Sequence, residues 1–164
     1  IKGSHNCYSY FLNDISDTLA QIHKIEDNDD RRILNPQPGH YCGMTTFVNY
    51  KETTCDLLNK RVLCDNPDIT VLPKGVGQDY DCGENYYKGA LKVRPKDMYH
   101  FYRQDEDGYW SHKDGGGEVI KLYKDPKDIR DEYPEFCNYY CVPKNSYKDT
   151  NMARNRDGKI WYKN

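Results

Sequence analysis

Apolar side chains at Phe11, Leu12, Ile15, Leu19 and Ile22 recur at steps of three and four along an otherwise polar stretch. That spacing is one face of a helix and predicts one over Tyr8 to Lys24, with Asn6 standing where an N-cap belongs. The acidic run from Glu26 to Asp30 closes it. Asn35-Pro36-Gln37-Pro38-Gly39 then reads as a loop, because proline can continue neither a helix interior nor a central strand. A weaker pattern predicts a second helix from about Thr46 to Leu63. From Ile69 onward, short runs rich in β-branched and aromatic residues alternate with turn residues. They predict strands over Ile69 to Leu72, Tyr86 to Val93, Met98 to Arg103, Tyr109 to His112 and Val119 to Tyr123. The turn Asp105-Glu106-Asp107-Gly108 folds the third of these back on the fourth as an antiparallel hairpin. The tail from Asp125 to Asn164 is polar, with Cys137 and Cys141 in its most apolar part. Helices first and strands after give an α+β reading.

Length and charge narrow the picture. The 164 residues fit one compact domain, 1–164. The chain opens on Ile1 without an initiator Met, which reads as excision from a longer protein. Its 24 basic and 26 acidic residues leave a net charge of -2, which argues against a nucleic-acid partner. No run approaches the roughly 18 consecutive apolar residues of a membrane span. The 16 Tyr against 4 Phe and 2 Trp mean that much aromatic burial must accommodate a hydroxyl.

Seven cysteines leave at least one thiol unpaired in any disulfide scheme. If Cys7 is that thiol, the other six form three bridges and point to a secreted or other oxidising compartment. The alternative is a reduced intracellular protein with scattered thiols; the bridged reading is preferred. Cys137-x-x-x-Cys141 with Cys42 and Cys82 lacks the paired knuckles of structural zinc, so disulfides or buried thiols are preferred, and the chemistry of a nucleophilic thiol requires no metal or organic cofactor.

Candidate chemistry centres on Cys7. It falls at the first turn of the first predicted helix, where free backbone N–H groups and the helix dipole favour a thiolate and a developing oxyanion. Alternation in Met98-Tyr99-His100-Phe101-Tyr102-Arg103 puts His100 on one face with Met98 and Tyr102. The next strand brings His112. In an even hairpin register, His112 or Asp114 lies opposite His100 and the other lies diagonal to it. Either can orient the ring as the third member of a triad does. An odd register places Ser111 there instead.

Asn6-Cys7-Tyr8-Ser9-Tyr10 opening a helix, followed by His100 and His112 on successive strands, resembles the papain-like superfamily, and within it the NlpC/P60 branch of cell-wall peptidases. The resemblance implies an α+β papain-like fold with an N-terminal nucleophile helix packed on an antiparallel sheet. It also implies Cys7 as nucleophile, His100 as base and His112 as orienting residue, with Asp114 as the substitute. The function so implied is a cysteine peptidase or amidase that cleaves an amide bond of a peptide or protein substrate through an acyl-enzyme on Cys7. Two rivals stand beside it. One is a non-catalytic, disulfide-stabilised binding module; the other is an acyl-transfer or transglutaminase-type enzyme.

Overall fold

Alternating aromatic and β-branched residues carry the second half of the chain into strands. The computed structural model describes residues 6–13, 36–44, 48–49, 51, 53–115 and 117–144. These residues form strands β1 (Thr70–Val71), β2 (Tyr86–Arg94), β3 (Met98–Gln104), β4 (Trp110–Lys113), β5 (Val119–Leu122) and β6 (Glu135–Pro143). They make one antiparallel sheet in the order β1-β6-β2-β3-β4-β5. The five strands expected from the sequence are present with shifted ends.

β6 was not expected: it arises within the tail read as polar. Its segment Asn138–Val142 is buried throughout, so it lacks the alternation of a strand with one wet face. The ladder with β2 pairs Leu91 with Asn138 and Lys92 with Phe136. Cys137 is therefore left over as a bulge, where it bonds to Cys55.

Among the described residues, two short α-helices accompany the sheet. α1 (Cys7–Phe11) is only five residues long. Its N-terminus closes in a capping box, with Asn6 Oδ1 accepting from Ser9 N–H at 3.0 Å and Ser9 Oγ accepting from Asn6 N–H at 3.0 Å. Leu12 caps its other end, and Asn13 takes a φ of +57°, a left-handed conformation that asparagine tolerates. The helix expected to reach Lys24 thus stops at Phe11, and residues 14–24 lie outside the described ones. α2 (Cys55–Asp65) starts later than Thr46 because Thr54 caps it, accepting from Leu57 N–H at 3.3 Å.

The sheet is covered on both sides. Tyr8, Phe11 and Leu12 of the N-terminal segment join Leu58 and Val62 of α2 over Leu91, Phe101 and Tyr140. A second cluster gathers Leu72, Ala90, Tyr102, Trp110 and Tyr139. Gly89 of β2 leaves room for α1 to settle, since a Cβ there would lie 2.2 Å from the Phe11 ring.

This architecture corrects the α+β, papain-like expectation. Six antiparallel strands dominate the described residues, and the helix meant to carry a nucleophile is barely more than one turn.

Candidate functional site

The β3–β4 hairpin pairs Arg103 with Ser111 and Gln104 with Trp110. Continued toward Asp114, that register is an even one and sets His112 diagonal to His100. The two rings meet edge to face, with His100 Nε2 and His112 Nδ1 2.7 Å apart. Asp114 is exposed; His112 makes the contact. On its other side the His100 ring stacks on Tyr133, with centroids 5.0 Å apart and planes at 12°, and it meets Tyr102 edge-on.

An ion pair between the buried Lys92 and the more exposed Asp131 underlies the position of Tyr133. Lys92 Nζ contacts Asp131 Oδ1 at 2.8 Å and donates to the Ile129 carbonyl at 2.9 Å. Asp131 also accepts from Tyr102 OH at 2.6 Å and from Tyr133 N–H at 3.0 Å. The carboxylate thus has three donors, as a partly buried charge requires. Together these contacts fold residues 129–133 over His100.

Cys7 is half-buried and is the free thiol among the described cysteines. Burial pushes it up to about 11, against the opposing pull of the Phe101, Tyr8 and Cys7 backbone amides. Burial, with the neighbouring His112 second, pulls His100 down to about 3. Burial lowers His112 too, opposed by Asp114 and Asp131. Both the thiol and the imidazole are therefore neutral near pH 7, the reverse of an activated thiolate–imidazolium pair. Among the described residues the Cys7 thiol makes no hydrogen bond to His100. A five-residue helix with a closed capping box also offers little free dipole or donor capacity to a thiolate.

A second buried polar centre escaped the sequence reading. Asp65, fully buried at the end of α2, accepts from Tyr8 OH, from Gly39 N–H at 2.7 Å and from Cys42 N–H at 3.0 Å. Burial pushes its carboxyl up to about 7 despite these donors. Asp65 thereby ties α1 and the Pro/Gly loop to α2, and Arg61 adds a bond to the Pro38 carbonyl at 3.2 Å. His40, in the short 3₁₀ turn His40–Cys42, is held down to about 4 by burial.

The remaining cysteines are bridged as Cys42–Cys64, Cys55–Cys137 and Cys82–Cys141, so none is available to a metal. Such bridging belongs to an oxidising compartment. A cleft of about 680 Å³ lies between the 73–80 loop and β6, lined by Val76, Tyr80, Lys127, Phe136 and Tyr139 among others. None of Cys7, His100 and His112 lines it.

No family model and no solved structure matches the chain. Over 119 residues it is 62% identical to "Insoluble matrix shell protein 1" of Ruditapes philippinarum. The match takes in 73% of this chain and 62% of the relative, so the chain spans somewhat under two thirds of that protein's length. The relative is named for a shell matrix and not for a peptidase or amidase, and this corrects the reading of the chain as a cysteine hydrolase. The chain is a disulfide-stabilised module.

Proposed function

We propose that the chain is a structural module of an extracellular, shell-type organic matrix, acting by binding and persistence instead of turnover. The 62% identity to a protein named as an insoluble shell matrix component carries this reading. The bridges support it. They close loops of 22, 82 and 59 residues, and the chain-entropy relation assigns each about 3–5 kcal/mol against unfolding. Such bracing suits a protein that must stay folded outside the cell. The pairing of His100 with His112 and Tyr133 then serves packing: a neutral, hydrogen-bonded histidine pair fixes the β3–β4 hairpin against residues 129–133.

Retention tests the proposal. The oxidised full chain, added to the washed organic residue of decalcified Ruditapes philippinarum shell, should stay with the solid through salt and mild detergent. Cys7→Ser should be retained equally, since no acyl-enzyme is involved. Recovery of the wild-type chain in the wash, or retention that depends on Cys7, contradicts it.

A further inference from the structure

His100 and His112 share one contact, Nε2 to Nδ1 at 2.7 Å, beneath a cover made by residues 129–133. In a neutral pair one ring donates and the other accepts across that gap. One added proton fits the same contact, but only as a buried charge in the field of the Lys92 ammonium. A second puts hydrogen on every ring nitrogen, so the gap then holds two donors and no acceptor. Charge therefore cannot build up on the pair unless the rings part and water reaches them.

The cover is the layer that can yield. His100 is fixed in β3, paired with Lys92 of β2, and His112 is fixed in β4, paired with Ile120 of β5. Residues 129–133 belong to no strand. Side chains tie them to the sheet: Lys92 to Asp131 and to the Ile129 carbonyl, Tyr102 to Asp131, and the Tyr133 ring on His100. The surrounding groups do not relieve a charge on the pair. Asp131 is already engaged by Lys92 and Tyr102, and Asp114 is exposed, where solvent screens it. Burial raises Tyr102, Tyr133 and the Cys7 thiol of α1 above their ordinary values, so all three stay uncharged in acid.

We propose that the histidine pair is a proton-operated latch: on acidification residues 129–133 swing off His100 while the sheet and its bridges stay intact. Opening lets both rings charge in water, which couples it to proton uptake. The cover's own ion pair is not the trigger. Against the opposing effect of burial, bonds from Lys92 and Tyr102 hold the Asp131 carboxyl below its usual range, so it keeps its charge while the histidines gain theirs. The latch goes beyond the matrix reading and is measured with no matrix present, so either can fail alone.

NMR of the oxidised full chain tests it. Between about pH 7 and 4 the nuclear Overhauser cross-peaks joining the Tyr133 and His100 rings should fall at least tenfold, while the protected amides of β2 and β6 persist. His112→Asn keeps a side-chain oxygen to which a charged His100 ring can donate, and it removes the second proton. Its cross-peaks should be lost about one pH unit lower than those of wild type. Wild-type ring cross-peaks unchanged at pH 4 overturn the latch. So does their loss together with β2 and β6 amide protection, which is global unfolding, or a His112→Asn chain that opens at the wild-type pH.

Discussion

Asp65 sits fully buried in the last turn of α2, where the helix carbonyl end already concentrates negative charge. Its folded pKa of about 7 lies above its ordinary value of 3.8. Between those values the folded chain holds a proton that the unfolded chain has released. Stability from this group is thus present below about pH 4 and declines as pH rises toward 7. His40 and His100 run the other way. Their folded values near 4 and 3 lie below the ordinary 6.5, so their contribution is present above about pH 6.5 and lost on acidification. Asp65→Asn removes the opposing slope. In urea unfolding from pH 7 to 4 the variant should lose stability more steeply than wild type, whatever its absolute value; an equal slope contradicts the assignment. An acidic residue in the last turn of a helix, with no basic partner in that turn, was a readable warning of such a centre. What it binds was not readable, because Tyr8, Gly39 and Cys42 converge on it from distant sequence.

Elements differ in how openly the chain declares them. The β3–β4 hairpin was legible from the alternation around His100 and the turn at Asp105–Gly108, but its register was not, because that depends on the loop type. β6 was not: a strand buried on both faces does not alternate, and its Tyr139, Tyr140 and Cys141 look no different from a packed loop. The end of α1 was hidden because apolar periodicity runs on through Ile15 while the backbone turns at Asn13. The docking of α1 on the sheet depends on a residue that periodicity overlooks. Gly89 has no side chain where the Phe11 ring packs against β2. Gly89→Ala should push that ring off its seat and destabilise the chain by about 1–3 kcal/mol, as overpacking does. The drop would be read as a lowered urea midpoint, and an unchanged midpoint would show that α1 does not rely on this contact.

For the molecule as a whole, two bridges stitch α2 and the loop at Cys82 to the sheet, and a third joins the Pro/Gly loop to α2. Cys55–Cys137 and Cys82–Cys141 both anchor β6, and Cys42–Cys64 fastens the Pro/Gly loop to α2. No helix among the described residues is long and apolar enough to cross a membrane. Parity of the cysteine count made one free thiol legible, but not the pairing, since six cysteines admit 15 connectivities. The triad-like order of Cys7, His100 and His112 was legible too, yet its chemistry depends on burial, which order does not reveal.

Alkylation of the oxidised chain with iodoacetamide across about pH 6 to 11, mapped by mass spectrometry, therefore tests the non-catalytic reading most directly. A braced structural module requires six cysteines unlabelled in bridges 42–64, 55–137 and 82–141. It also requires a Cys7 that labels slowly and gains rate only toward pH 11. Rapid labelling of Cys7 well below the ordinary thiol value of about 8.5, or open bridges in the secreted form, would contradict it.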